Sequence, residues 1–435
     1  MKNKNLLLAI FALTFCSFSH SIMAAQTADQ RMSVKVAKEG FPLEMAETRA
    51  NTFSLPALLK GEDTMMYAFL HMSQFMPTTI VAHSAPVMAL KNKPMPEVGK
   101  VTFESNLGKL SLEEYLAHSE SYVQGYLVIH KGEIVYEKYP GMRETDSHLW
   151  ASNAKVLTSL VISILVEDGE IDINKTIGFY IPEFKGTAWE YIPVIDVLDM
   201  ATGLDVVEND DTRSDPNSIA SRLFLAILGY KNNRDMIERH TDVLKSAKKT
   251  GPSGKAFEYG SGATQMLVLL AEAVKQKRWA EIVEDRIWSK MGVESDLQVH
   301  LTPDGIAAGH GMISSRLRDM GRFGMLYTPS WNKAAREKIV SKKMLASIQN
   351  GCRPEIYNKG HLGPSMTKRF HEEPKCNGWQ WDAVFKDGDI YKSGLMGQGI
   401  YISPSRDLTI VWFSADKAAS ITGYSRAIAT SGLFK

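Results

Sequence analysis

A long apolar run is the clearest element in this chain. Residues 156–165 are apolar at all but three positions. The run is too long for an ordinary strand, and it predicts a buried helix. Gly169 follows shortly afterwards and can end that helix, because glycine readily takes the left-handed conformation of a C-cap. Ser152 stands at the start of the helix and Lys155 three residues later, so we expect both side chains on one helix face.

Strand patterns lie on the C-terminal and N-terminal sides of this helical region. Residues 126–130 and 134–137 flank a Lys-Gly-Glu turn, and residues 399–403 and 408–413 flank a Pro-Ser-Arg-Asp turn. Each pair predicts a β-hairpin. Trp379-Gln380-Trp381 alternates in the same way and predicts a further short strand.

Between the strand-rich regions the hydrophobic period is mainly helical. Residues 193–200, with Pro193 suited to the first helical position, and residues 262–277 and 279–291 predict helices. Residues 111–114 have the Ser-x-x-Glu spacing of a capping box, which predicts the start of a short helix. Strands at both ends of a helical middle favour an α+β fold, in which helices flank an antiparallel sheet and a helical lobe is inserted.

The length of 435 residues allows two or three domains or one large two-lobed body. We predict a signal peptide over residues 1–25 and an N-terminal extension over residues 26–110. Residues 111–150 and 301–435 are expected to form the α/β body with the antiparallel sheet. Residues 151–300 are expected to form a mostly helical lobe.

The N-terminus has the pattern of a secretory signal. Lys2 and Lys4 precede an apolar segment over residues 6–18, and Ala24 and Ala25 offer cleavage sites. We therefore expect a periplasmic or secreted protein with no integral membrane segment after signal removal. The alternative is an uncleaved N-terminal anchor, although its apolar core is short for spanning a bilayer.

Charge and cysteine content narrow the possible partners. The net charge of +1 argues against nucleic acid as the main partner. Beyond the signal, Cys352 and Cys376 are the two cysteines, and an oxidising compartment favours a disulfide between them. Two separate buried thiols are the alternative. No cysteine and histidine spacing indicates a zinc site, and no cofactor is expected.

The pattern Ser-x-x-Lys occurs five times, at Ser152, Ser246, Ser330, Ser365 and Ser414. The bare pattern therefore carries little information, and its context has to decide. Only Ser152 begins a long buried helix, at the join between strand-rich and helix-rich regions where clefts form. A lysine buried there loses its charge more readily and can take the proton of the serine. Ser365 is the rival, but nothing in its loop is expected to bury Lys368.

Two further motifs follow in order, Tyr259-Gly260-Ser261 and Lys392-Ser393-Gly394. Together with Ser152-Asn153-Ala154-Lys155 they resemble the serine β-lactamases and penicillin-binding proteins. The resemblance is closer to the class C branch, which includes esterases and 6-aminohexanoate-dimer hydrolases, and it covers roughly residues 120–415. It implies a β-lactamase/transpeptidase-like fold. Gly260 and Ser261 depart from the commoner form of the second motif.

The resemblance also implies roles for individual residues. Ser152 would form an acyl-enzyme with Lys155 as general base, and the backbone N–H groups of Ser152 and Leu395 would hold the oxyanion. Tyr259 would pass a proton to the leaving group and then activate water, with its pKa lowered by two nearby lysines. Lys392 would meet a substrate carboxylate. The positions implied to bind substrate are Ser261, Lys392, Ser393 and Gly394.

These roles predict a serine hydrolase that cleaves a small ester, amide or peptide-like substrate without a metal. A penicillin-binding D,D-peptidase or β-lactamase and a catalytically silent ligand-binding protein of the same fold are the alternatives. His310 would suit a Ser-His-Asp triad, but no Gly-x-Ser-x-Gly elbow accompanies it, so we interpret it as a turn residue. We expect pocket walls from residues 205–250 and 352–376, and interpret the acidic segment 205–217 as a solvated loop or lid.

Overall fold

The computed structural model describes residues 32–61 and 63–435, of which Ser33–Lys435 form one unit. The predicted signal peptide, residues 1–25, lies outside the described residues. Within the described ranges, no helix combines the length and the apolar composition needed to cross a bilayer.

Fourteen strands are present in the described residues. They are β1 Thr78–Val81, β2 Lys91–Asn92, β3 Thr102–Ser105, β4 Gly108–Ser111, β5 Val123–His130, β6 Glu133–Lys138, β7 His148–Leu149, β8 Leu297–His300, β9 Ile313–Ser315, β10 Cys376–Gly378, β11 Trp381–Val384, β12 Ile390–Ser393, β13 Gly399–Ser403 and β14 Leu408–Ser414.

The largest sheet has eight strands in the order β10-β11-β12-β13-β14-β5-β6-β2. Its neighbours pair antiparallel, except that β2 runs parallel to β6. Both predicted hairpins, β5–β6 and β13–β14, are confirmed, and β14 joins them by pairing with β5. Smaller sheets have the order β1-β8-β9-β7 and β3-β4. The N-terminal region therefore completes sheets, because β1 pairs with β8, which follows much later in the chain, and β2 pairs with β6 at the edge of the large sheet.

The described residues also contain eighteen α-helices. They are α1 Val34–Glu39, α2 Leu43–Thr52, α3 Leu55–Lys60, α4 Asp63–Leu70, α5 Leu112–Ala117, α6 Ala154–Glu167, α7 Ile177–Tyr180, α8 Val194–Leu198, α9 Asp210–Ser214, α10 Ile219–Leu228, α11 His240–Lys245, α12 Ser261–Lys275, α13 Trp279–Arg286, α14 Leu317–Met325, α15 Lys342–Asn350, α16 Pro354–Tyr357, α17 Leu362–Phe370 and α18 Thr422–Thr430.

The predicted buried helix is α6, and every residue from Ala154 to Leu165 is buried. It ends as its sequence predicts, because Gly169 adopts a positive φ of 78° and its N–H donates to the carbonyl of Val166. Helix α6 packs against α12 and α13, whereas α14 covers β14 and β5 of the large sheet. The capping box before α5 is also confirmed, since Ser111 and Glu114 bond reciprocally.

Three local predictions differ from the structure. Trp379 and Gln380 do not form a strand but a tight turn between β10 and β11, with φ angles of 50° and 70°. Pro193 is the N-cap of α8 rather than its first residue. The helix predicted over residues 279–291 ends at Arg286, and a short 3-10 turn follows. In the first case tertiary contacts override local alternation, because the N–H of Trp379 donates to the carboxylate of Asp199 at 3.0 Å.

Cys352 and Cys376 are joined by a disulfide, with their Cα atoms 6.0 Å apart. The bond links the segment after α15 to the first residue of β10. It therefore closes the stretch that contains α16 and α17.

Candidate active site

A cavity of about 430 Å³ opens where the large sheet meets the helical region. Ser152, Tyr259 and residues within the segments 208–214, 361–369 and 393–397 line it. Both segments expected to form pocket walls therefore contribute. Leu59 from the N-terminal region also faces the cavity, which the sequence pattern did not indicate.

Ser152 lies in a 3-10 turn, Ala151–Asn153, that leads directly into α6. The Nζ atom of Lys155 lies 3.2 Å from the Oγ atom of Ser152. Lys155 is fully buried, and burial lowers the pKa of its ammonium to about 7. The lysines of the other four Ser-x-x-Lys matches are all exposed: Lys249, Lys333, Lys368 and Lys417. Burial thus singles out the Ser152 match, as its sequence context predicts.

Two further acceptors hold the Lys155 side chain. Its Nζ atom lies 2.6 Å from the carbonyl oxygen of His310 and 3.0 Å from the Oγ atom of Ser261. The His310 ring is buried against Gln265, and this burial lowers the pKa of the imidazole to about 3. His310 therefore contacts Lys155 through its backbone and not through its ring.

Tyr259 lies between two lysines, but its pKa moves in the direction opposite to our expectation. Its ring centroid is 5.3 Å from the Nζ atom of Lys155 and 4.6 Å from that of Lys392. Burial raises the pKa of Tyr259 well above its usual value, and the carboxylates of Glu208 and Asp382 add to the rise. The prediction of a lowered pKa was wrong because it counted the two lysines but neither the burial of the phenol, which is the largest cause of the rise, nor these carboxylates.

Glu208 is a site residue that the sequence interpretation missed. Its carboxylate accepts from the Oγ and, at 3.1 Å, from the N–H of Ser261, and the Nη2 atom of Arg213 lies 2.7 Å away. Burial alone would raise the pKa of Glu208, but Arg213 and Lys155 outweigh it and bring the pKa to about 2. The segment 205–217 is therefore only partly a solvated loop. Glu208 stands among several acidic residues, and nothing in the sequence distinguishes it from them.

Asp382 is the second site residue that the sequence interpretation missed. It lies on the buried side of the third motif and pairs with Lys392 and Ser393. Its carboxylate lies 2.5 Å from the Nζ atom of Lys392 and accepts from the N–H and Oγ of Ser393 at 3.0 and 2.5 Å. Lys392 is fully buried, and burial lowers its pKa while Asp382 opposes the shift. Ser393 and Gly394 line the cavity, whereas Lys392 and Ser261 lie behind its wall.

Ser152 and Leu395, the two residues whose backbone N–H groups were expected to hold an oxyanion, line the same cavity. No acceptor among residues 32–61 and 63–435 takes the N–H of Ser152 or of Leu395. Strand β12 ends close to the turn that carries Ser152, since a Cβ atom on Gly394 would lie 2.9 Å from the Nδ2 atom of Asn153. Met396 follows with a φ of 60°, which turns the chain away after Leu395.

No cluster of three histidine, cysteine, aspartate or glutamate side chains suited to a metal ion occurs in the described part of the chain. The arrangement therefore offers a serine, an amine, a phenol and two backbone donors around one cavity. The large sheet flanked by helices, with these groups around one cavity, has the β-lactamase/transpeptidase-like fold.

Comparison with known proteins agrees with this class. The Beta-lactamase family model matches residues 122–420, well over half of the chain, so the chain belongs to the Beta-lactamase family of hydrolases. It is 26% identical to the 6-aminohexanoate-dimer hydrolase of Paenarthrobacter ureafaciens over 373 residues, which cover 83% of this chain and 90% of that protein.

Solved structures share the fold. A Bacillus anthracis protein assigned as a 6-aminohexanoate-dimer hydrolase superposes with a TM-score of 0.72 at 24% identity, covering 85% of this chain and 93% of the other. A β-lactamase/D-alanine carboxypeptidase from Yersinia pestis gives a TM-score of 0.53 at 18% identity, covering 73% and 95%.

Proposed function

We propose that this protein is a serine hydrolase that cleaves ester or amide bonds through an acyl-serine intermediate on Ser152. One observation carries the proposal: the Ser152 Oγ lies 3.2 Å from the Nζ of buried Lys155, whose pKa is lowered to about 7, at the wall of the cavity. An amine with a pKa of about 7 is roughly half neutral at pH 7, whereas an ordinary lysine is almost entirely charged there. Lys155 can therefore take the proton of the serine as Oγ attacks a carbonyl carbon.

In the acylation step, a bond forms between the Ser152 Oγ and the carbonyl carbon while the Oγ proton moves to Lys155. The backbone N–H groups of Ser152 and Leu395 bind the oxyanion, and each such donor typically contributes about 10²–10³ in rate. Tyr259 is protonated at neutral pH because its pKa is raised, so it acts as the acid. Its proton goes to the leaving alkoxide or amine as the bond to the leaving group breaks.

In the deacylation step, the same groups work in reverse. The phenolate of Tyr259 takes a proton from water, and the resulting hydroxide attacks the acyl carbon. The Ser152 oxygen then leaves and recovers its proton from Lys155. A raised pKa keeps the phenol of Tyr259 protonated before acylation and makes its phenolate a strong base in deacylation.

The charges behind the cavity favour esters or amides without a carboxylate at the third motif. A penicillin-binding peptidase or β-lactamase would use Lys392 to meet the carboxylate of its substrate, but Asp382 already pairs with Lys392 and holds Ser393. The name of the Paenarthrobacter relative makes the 6-aminohexanoate dimer one substrate to test; it is a linear amide, and its terminal carboxylate would have to lie away from the third motif.

The experiment compares Ser152→Ala with Ser246→Ala, an exposed match of the same Ser-x-x-Lys pattern. Hydrolysis of a p-nitrophenyl ester and covalent labelling by a fluorophosphonate are measured. We expect both to be lost in Ser152→Ala and kept in Ser246→Ala. Loss of the label only in Ser365→Ala would show that Ser365, and not Ser152, is the nucleophile.

A substrate panel then separates the alternatives. We expect turnover of an ester or the linear amide, and no stable acylation by a fluorescent penicillin. Stable acylation by that penicillin would instead favour a penicillin-binding enzyme. A wild-type protein that reacts with no probe would be a catalytically silent member of the fold.

A further inference from the structure

The hydrogen atoms around Lys155 can be assigned from chemistry alone. The His310 carbonyl can only accept a hydrogen bond, and so can the ionised carboxylate of Glu208. Ser261 has one hydroxyl hydrogen, which must point to the Glu208 carboxylate because that group has none to give. The Ser261 oxygen can therefore only accept from Lys155.

This assignment fixes the direction in which the lone pair of neutral Lys155 points. A neutral lysine amine has two hydrogens and one lone pair. One hydrogen goes to the His310 carbonyl at 2.6 Å and the other to the Ser261 Oγ at 3.0 Å. The lone pair is then left facing the remaining neighbour, the Oγ of Ser152 at 3.2 Å.

We infer that Glu208 is a positioning residue which, through Ser261, holds the lone pair of neutral Lys155 toward the Oγ of Ser152. The inference rests on the proposed function, since it concerns the base of that reaction. Without the carboxylate, the Ser261 hydroxyl is free to turn and donate to the Lys155 lone pair. A base whose lone pair is already occupied cannot accept the serine proton.

Hydrogen bonds to the second motif hold Glu208 in place. Its backbone N–H donates to the Tyr259 carbonyl at 2.7 Å, and its side chain accepts from the N–H of Ser261 at 3.1 Å. Between these two residues, a Cβ atom on Gly260 would lie 2.1 Å from the carbonyl oxygen of Val206. The glycine of the second motif is therefore what lets the Glu208 segment approach Ser261 so closely.

The negative charge of Glu208 also acts on the protonation of Lys155. The groups that face Lys155 are Glu208 and Asp382, which raise its pKa, and Lys392 and Arg213, which lower it, together with Tyr259 and the neutral ring of His310. Removal of the Glu208 charge therefore lowers the pKa of Lys155. The amine then becomes neutral at lower pH, so the acid limb of activity moves to lower pH.

The test is Glu208→Gln in the full-length protein, with kcat/KM for a p-nitrophenyl ester measured across pH. We expect the plateau to fall roughly 10- to 100-fold, a part of the ~10²–10⁴ that general-base catalysis supplies, while the acid limb moves to lower pH. Active-site titration with a fluorophosphonate corrects for unfolded protein. Asp211→Asn removes an exposed charge from α9, the helix that follows Glu208, and should change neither plateau nor limb.

Ser261 provides an independent pair of variants if Glu208→Gln fails to fold. Ser261→Ala removes the relay but keeps the carboxylate, so the plateau should fall while the acid limb does not move to lower pH. Ser261→Thr keeps a hydroxyl at the same position and should restore most of the plateau.

Several results would overturn the inference. They are a folded Glu208→Gln with an unchanged plateau, a fallen plateau with an unmoved acid limb, and no rescue by Ser261→Thr. A wild-type protein that neither hydrolyses the ester nor takes the label would contradict the proposed function itself. An active wild type together with a Glu208→Gln variant of unchanged activity would contradict only the positioning role.

Discussion

At the scale of single residues, burial moves two neighbouring pKa values in opposite directions. Lys155 and Tyr259 are both fully desolvated, and desolvation disfavours the charged form of each. For a lysine this lowers the pKa, and for a tyrosine it raises the pKa. The result is a partly neutral amine beside a neutral phenol, which is the pair that the proposed acyl transfer needs at neutral pH.

The pH dependence of kcat/KM tests this pair. Lys155 must be neutral, so activity should rise with pH through an acid limb near pH 7, the value to which its pKa is lowered. Tyr259 must keep its proton, so no fall should follow until well above pH 10. Steady-state hydrolysis of an ester across this range measures both limbs. An acid limb close to the usual pKa of a carboxyl group would contradict the assignment of Lys155 as base.

Asp382 sets the charge presented at the third motif. Its replacement in Asp382→Asn leaves Lys392 and Ser393 without their carboxylate partner. We expect faster acylation by a fluorescent penicillin relative to a p-nitrophenyl ester by roughly 10- to 100-fold, because one charge-assisted hydrogen bond contributes about 1.5–3 kcal/mol. An unchanged ratio between the two substrates would show that Asp382 does not control this preference.

At the scale of elements, the ends of two helices and one strand meet at the cavity. Helix α6 begins just after Ser152, helix α12 begins at Ser261, and strand β12 ends at Ser393. The start of α12 is held by the segment that carries Glu208, which passes close to Gly260. The second motif therefore depends on a contact between two segments as well as on its own sequence.

Gly260→Ala tests this contact. The new Cβ atom would lie 2.1 Å from the carbonyl oxygen of Val206, so one of the two segments must shift. Overpacking of this kind costs about 1–3 kcal/mol, and we expect a lower midpoint of urea unfolding together with a loss of ester hydrolysis. Gly251→Ala is the matched control, because a Cβ atom there would meet nothing within 4 Å. Equal behaviour of the two variants would contradict the close approach.

At the scale of the whole molecule, sequence-distant parts complete one unit. Strands β1 and β2 from the N-terminal region pair with β8 and β6. The disulfide between Cys352 and Cys376 closes the stretch that carries α17, whose residues line the cavity. The disulfide therefore links this stretch of the cavity wall covalently to strand β10.

The double variant Cys352→Ala/Cys376→Ala measures this link. A closed loop with a sequence separation of 24 residues is expected to contribute about 3 kcal/mol by restricting the unfolded chain. Urea unfolding should show this loss, and reduction of the wild type should reproduce it. A reductant should then leave the double variant unaffected. If reduction did not change the wild-type midpoint, the disulfide would have no such role.

The sequence by itself determined the local elements and the order of the motifs. The β5–β6 and β13–β14 hairpins and the buried helix α6 follow from hydrophobic period and turn residues, which act over a few positions. The same local context selected Ser152 among five matches, and burial of Lys155 agrees with that choice. These features need no knowledge of distant contacts.

Only the tertiary structure decided the charges around the base. Glu208 bonds Ser261 across 53 positions in sequence, and Asp382 reaches Lys392 from the neighbouring strand of the sheet. A pKa depends on desolvation and on charges from every segment packed nearby. The direction of the Tyr259 shift was therefore predicted wrongly from its two lysines, because burial of the phenol raises the pKa most and the carboxylates of Glu208 and Asp382 add to the rise.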